Sequence, residues 1–206
     1  MKAYWMMAVM ITIAINISCK KFVQVGPPAT EVAAATVFAD DNAATTAAIS
    51  VYARMGVSYL DITSGGMTLY PALSADELIT TSSNTELLSF QNNKVIADNG
   101  RGIYTRFWKA AYQDIYYANA VLDGVTNSRT ITVATSNQLT GEMLVVRAID
   151  YFCLVNLFGD VPLDLTTDYR ANSVMPRTTV SDVYKQLTAD LLKAEDLLKE
   201  DYPSAL

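Results

Sequence analysis

Apolar positions recur at helical spacing in four stretches of the chain, and the segments between them lose that period. From Asp41 to Met55, the residues Ala44, Ala48, Val51 and Met55 follow at intervals of four and three, one face of an amphipathic helix. Asp40 or Asp41 is placed to cap its first amides, and Gly56 to end it. From Tyr104 to Leu122 the stripe is Trp108, Ala111, Ile115, Ala118 and Leu122, widened by Tyr112, Tyr116 and Tyr117. An aromatic stripe at this spacing reads as core and Asn119 within it as a buried hydrogen-bonding group; tyrosines stacking on pyranose rings are the functional alternative. The third helix spans Leu139 to Phe158. Met143, Val146, Cys153 and Leu157 form one stripe, and Leu144, Ala148, Tyr151 and Val155 another, so several neighbours must cover it. Gly159 ends it, and Pro162 keeps it from restarting. The fourth helix runs from Thr179 to Lys199 and buries Val183, Leu187, Leu191, Ala194 and Leu198, with Thr179 and Asp182 as a weak relative of the capping box.

Between these stretches the pattern is irregular. Gly65-Gly66, Pro71 and the polar cluster from Thr80 to Thr85 make Ser58 to Asn99 a long connection with one short helix near Ser74 to Ile79. A connection of that length is often functional, which makes it a candidate partner-facing or binding surface, against the reading of an inert packed loop. A polar segment from Thr126 to Asn137 follows Gly124, with a short extended piece at Thr130 to Ala134, and a spacer leads to Arg177. The fold class that results is mainly α: an irregular helical-repeat, tetratricopeptide-like array of about four main helices with long loops.

The start of the chain follows another logic. Lys2 precedes an apolar run from Ala3 to Ile17 broken only by Thr12 and Asn16. The run from Trp5 to Ile15 is shorter than the roughly 20 residues that cross a bilayer of about 30 Å, so it reads as a secretion signal. It stops at Ile17-Ser18-Cys19, followed by Lys20-Lys21. A small residue before a cysteine at this distance is the pattern of a bacterial lipoprotein cleavage site, from which only Asn16 departs. Acyl chains of the palmitate kind on Cys19 would then anchor the protein, since each buried methylene contributes about 0.8 kcal/mol. Residues 1-18 are thus a signal peptide, 19-38 a lipidated tether rich in Pro27-Pro28 and Gly26, and 39-206 the helical domain.

Charge and chemistry narrow the function. The net charge is -6, and loss of Lys2 with the leader makes it more acidic, which argues against a nucleic-acid surface. Cys153 lies in an apolar segment and reads as a buried thiol, so no disulfide framework is expected. The chain has no histidine, hence neither the usual neutral-pH proton shuttle nor the commonest metal ligand. Neither a phosphate-binding loop nor a nucleophile elbow occurs. Adjacent Asp76 and Glu77 are the acidic pair a glycosidase would need, at almost no specificity. Glu142, Arg147 and Asp150 on one helix look catalytic, but a structural network in which Arg147 meets Asp150 is the preferred reading. No catalytic residue, cofactor or metal is expected.

Gly141-Glu142-Met143 with Arg147-Ala148, then Tyr151-Phe152 with Leu154, and Leu157-Phe158-Gly159-Asp160-Val161-Pro162 resemble the central signature of the SusD/RagB family of outer-membrane lipoproteins. Trp108, Tyr112, Ile115, Asn119 and Leu122 resemble that family's preceding helix. Pro176-Arg177, Val183-Tyr184, Asp190-Leu191 and Ala194 to Leu198 resemble the following one, and Tyr52 and Cys19 also fall into place. The resemblance implies a surface lipoprotein of Bacteroidetes-type bacteria that captures nutrient, usually oligosaccharide, for a TonB-dependent (SusC-like) outer-membrane channel, without catalysis. It implies that Cys19 is the acylated cysteine and that Arg147, Asp160 and Pro162 are structural, and it assigns no ligand-contacting residue. Members are longer, so the chain resembles their amino-terminal region alone. The rival expectation is a helical scaffold lipoprotein that contacts proteins at the outer membrane and binds no glycan.

Overall fold

The structure is a computed structural model that describes residues 34–56, 61–96 and 102–199. The signal peptide, Cys19 and the tether as far as residue 33 lie outside the described residues. Ala34–Val37 (α1) forms a single helical turn within the segment read as tether. Asp41–Met55 (α2) begins and ends as its sequence directs. The Asp40 carboxylate accepts from the Ala43 amide at 2.9 Å, and the Gly56 amide closes on the Tyr52 and Arg54 carbonyls.

The segment read as irregular holds two α-helices among its described residues rather than one. A π-helical turn, Ile62–Gly66, leads into Met67–Ser74 (α3), and Thr85–Gln91 (α4) follows. The helix expected near Ser74 to Ile79 is absent: α3 ends at Ser74, and Asp76 adopts a left-handed φ of 60°. Pro71 lies inside α3 rather than breaking the pattern. Burial of its neighbours Tyr70 and Leu73 offsets the lost amide bond, and the Tyr70 ring packs on Phe90 and Phe107 at centroid distances of 4.4 and 5.4 Å.

A second π-helical turn, Tyr104–Lys109, runs directly into Ala110–Asn127 (α5). The helix thus runs past Leu122 and Gly124 into the start of the segment read as polar. A Cβ on Gly124 would stand 2.1 Å from the Phe38 ring, so the glycine admits close approach of an aromatic side chain. Val133–Phe158 (α6) starts earlier than expected, because Thr132 caps it by accepting from the Thr135 amide. The extended piece expected at Thr130 to Ala134 is thus the entry of a helix. Thr132 also donates its amide and hydroxyl to the Asp41 carboxylate, both at 2.7 Å, which ties the first turns of α2 and α6 together.

Gly159 leaves α6 at φ 69°, a conformation costly to any residue with a Cβ. Val161–Pro162 (β1) then pairs antiparallel with Arg177–Thr178 (β2), Val161 opposite Thr178. Between them Tyr169–Asn172 (α7) forms one turn capped by Asp168. Val180–Leu197 (α8) is capped by Thr179. Asp160 joins the two long helices: its carboxylate accepts from the Val180 amide at 3.0 Å, and its carbonyl accepts from Arg177. The buried side of α8 is Val183, Leu187, Asp190 and Ala194. Leu191, expected inside, is 42% exposed, and Leu198 lies past the helix end, where a Cβ on Gly141 would meet its side chain.

Apolar stripes on several sides of α6 are covered by α8, α5 and α2, its main packing partners. One core cluster gathers Tyr70, Phe107, Ile115, Tyr151, Leu154 and Val183; the other gathers Ala44, Ala48, Val121, Met143 and Val146. The architecture is the mainly α, tetratricopeptide-like array that the sequence predicts. No helix among the described residues is long and apolar enough to cross a membrane.

A groove along the fifth helix as the candidate functional site

A buried polar clamp shapes the site. Arg147 on α6 grips Asp190 on α8 through Nε and Nη2, each at 2.8 Å, and donates from Nη1 to Asn119 Oδ1 on α5 at 2.8 Å. Asn119 in turn donates to the Asp164 carbonyl at 3.0 Å, and the Tyr151 hydroxyl donates to the same carbonyl at 3.0 Å. The Tyr112 hydroxyl donates to the Pro162 carbonyl at 2.7 Å. Three side chains from two helices thus fix the chain after Gly159 against α5, and every polar group in the clamp is hydrogen-bonded, as burial demands.

The fixed segment walls a groove of about 380 Å³ lined by Tyr112, Tyr116, Asn119, Asp164, Thr166, Thr167, Tyr169, Asn172 and Ser173. Tyr116 and Tyr169 are 47% and 72% exposed; Tyr116 meets Tyr117 edge-on at 5.5 Å, and the Arg170 guanidinium lies over the Tyr169 ring, 5.7 Å from its centroid. A second groove of about 560 Å³ adjoins it through Tyr116 and Thr167 and extends past Asp123, Asn127 and Arg129. Asp123 accepts from the Thr167 hydroxyl at 3.0 Å. Asp164 Oδ1 is buried without a hydrogen-bond partner, and burial raises this carboxyl above the usual carboxylate range. Burial and then the Asp164 charge raise the Tyr112 phenol, so it stays a protonated donor. Aromatic faces beside hydroxyl, amide and carboxylate groups suit stacking on, and hydrogen bonding to, a sugar.

The expected residues separate by role. Asn119 is the buried hydrogen-bonding group that the sequence indicates, and Cys153 is a buried thiol, its pKa pushed up to about 11 by burial. Tyr112 packs against the core as expected, whereas Tyr116 and Tyr117 are exposed. Arg147 does not meet Asp150: the carboxylate of Asp190 competes from another helix with bidentate geometry that a neighbour on the same helix lacks. Glu142 accepts instead from Tyr52 and Gln138, at 3.0 and 2.6 Å. Asp76 and Glu77 are exposed and line neither groove. Residues 61–96 contribute nothing to either groove; the spacer before Arg177 does, and its Thr, Tyr, Asp and Asn content was the signal.

Asp150 lies fully buried with both carboxylate oxygens unpartnered. Burial, then the nearby Asp114 charge, raise its pKa well above the ordinary value. Asp114 is pushed up to about 6 by burial, opposed by Arg54, whose Nε lies 2.9 Å away in ion-pair contact. Among the described residues, no group of three or more acidic or cysteine side chains is arranged to hold a metal ion.

A SusD-like family model, described as "Starch-binding associating with outer membrane", matches residues 44–206, and the chain belongs to that family. SusD-like protein P25 of Formosa agariphila is 31% identical over 100 residues, 47% of this chain and 18% of that protein. SusD-like protein P2 of the same organism is 31% identical over 113 residues, 53% of this chain and 22% of its own length. A laminarin binding SusD-like protein shares the fold at a TM-score of 0.65 and 23% identity, covering 79% of this chain and 35% of that one. NanU of Bacteroides fragilis does so at 0.65 and 18% identity, covering 86% of this chain and 34% of its own. The chain therefore matches only a minor part of each of these relatives.

Proposed function

We propose that this protein is a non-catalytic surface lipoprotein that captures oligosaccharide at the outer membrane and passes it to a TonB-dependent, SusC-like channel. The single observation that carries this reading is the SusD-like match over residues 44–206, a family described as starch-binding and associated with the outer membrane. The laminarin binding of one structural relative, and the tyrosine, hydroxyl and carboxamide lining of the groove on α5, support a glycan as the ligand. In this reading residues 1-18 are removed, Cys19 carries the acyl chains, 19-38 is the tether and 39-206 the binding domain, facing the cell exterior. Two acyl chains suffice for stable attachment.

The test is capture from outer-membrane extracts with a carboxyl-terminal tag, beside metabolic labelling with palmitate. The reading expects a large TonB-dependent channel in the eluate and label that vanishes in Cys19→Ala. Recovery of unlabelled protein from the soluble fraction would overturn the anchor, and a labelled protein without a channel would overturn delivery. A second reading, a helical scaffold that binds protein and no glycan, is favoured by the exposed Ile149, Phe152 and Leu192 on α6 and α8. It requires that no oligosaccharide bind.

A further inference from the structure

Of the nine side chains that line the groove on α5, one is a carboxylic acid and none is a lysine or arginine; the acid is Asp164. Its position is set by its own peptide: Asn119 and Tyr151 both hold its carbonyl at 3.0 Å, and Arg147 holds Asn119. The carboxylate itself is left over. Among the described residues it makes no side-chain hydrogen bond, and Oδ1 is buried without a partner. Its polar neighbours are already engaged: Tyr112 with the Pro162 carbonyl, Thr167 with Asp123, and Asn172 with the Thr166 carbonyl at 2.8 Å.

We propose that Asp164 is the specificity-determining residue of this groove, accepting hydroxyl hydrogen bonds from a neutral sugar and turning anionic sugars away. This rests on the reading of the groove as the glycan site. A hydroxyl donating to a carboxylate forms a short, charge-assisted bond about twice as strong as a neutral one. The gain is larger here because the acceptor is part-buried and unpartnered before the ligand arrives. A uronate or sulfated sugar in the same place would set a second negative charge beside Asp164 with no cation among the groove's lining residues to offset it. The exposed Tyr116 ring holds the sugar by its face, and Tyr169, with the Arg170 guanidinium 5.7 Å from its ring centroid, flanks the site; discrimination falls to Asp164, the one acidic side chain that lines the groove itself.

The experiment is calorimetric titration of the full chain with a neutral gluco-oligosaccharide and with an oligouronate of the same length. It is run on the unsubstituted protein, on Asp164→Asn and on Tyr169→Ala. The expected result is binding of the neutral sugar alone by the unsubstituted protein. Asp164→Asn weakens the neutral sugar by about tenfold, the worth of one hydrogen bond to a charged group, and narrows the preference against uronate. Oligouronate bound as tightly as the neutral sugar by the unsubstituted protein overturns the proposal without recourse to any variant. So does unchanged neutral affinity in Asp164→Asn while Tyr169→Ala weakens it, and both results leave the glycan reading intact. Absence of binding to every oligosaccharide overturns that reading, and this proposal with it.

Discussion

Arg147 holds Asp190 through two hydrogen bonds of 2.8 Å although 43 residues separate them in sequence, and both side chains are nearly inaccessible to solvent. Such a pair is weak evidence for net stability, yet removing one partner strands the other as a buried charge. Arg147→Met is expected to lower unfolding free energy by about 3–5 kcal/mol, read from the urea midpoint. Adding Asp190→Leu is expected to recover most of that loss. Because Arg147 also orients Asn119 against the Asp164 carbonyl, both variants should loosen the groove, read as faster amide exchange at residues 163–167.

Gly124 offers a test in which two principles disagree. Helix propensity favours Gly→Ala by about 1 kcal/mol. Contact with the Phe38 ring, 2.1 Å from the new Cβ, opposes it. The contact should win, with a net destabilisation of about 1–3 kcal/mol, as for other overpacked sites. Thermal melts of Gly124→Ala, Phe38→Ala and the double variant check this, since the double variant is expected to recover much of the loss.

The pair Asp114 and Asp150 sets a pH dependence. Both have folded-state pKa values above the unfolded one of 3.8, Asp114 at about 6. The folded protein therefore binds more protons, so the stability these groups contribute is fully present below 3.8 and lost as pH rises through their folded values. Asp150→Asn removes the part of that loss that Asp150 contributes. Its urea midpoint should exceed that of the unsubstituted protein at pH 8 and match it closely at pH 4.

Tyr116 and Tyr169 are exposed, so their loss should cost the fold little. Each alanine variant is expected to weaken oligosaccharide binding by about 3- to 10-fold, the worth of one aromatic contact, with an unchanged melting temperature. Calorimetry and thermal melts on the same samples separate the two effects.

The helical stripes were legible because burial enforces a period of 3.6 residues: α2, α6 and α8 stand close to where Ala44, Val146 and Val183 place them. Local signals misled where tertiary packing overrode local preference. The polar segment after Gly124 hid the last turn of α5, where the glycine accommodates Phe38, and Pro71 reads as a break but sits in a helix fixed by Tyr70 and Leu73. The Arg147 partner was illegible for a different reason: a helical neighbour at i+3 is visible along the chain, whereas Asp190 becomes adjacent only once α8 folds back on α6. The groove shared that fate, since Asp164, Thr167 and Tyr169 meet Tyr112 and Tyr116 only through the clamp on the carbonyls of residues 162 and 164.

The most direct test of the account is hydrogen exchange of the full chain with and without a neutral gluco-oligosaccharide at saturating concentration. The account predicts slowed exchange confined to residues 112–119 and 163–173, around the groove on α5. Saturating sugar that leaves both segments unchanged, or protects only residues 61–96, would contradict it.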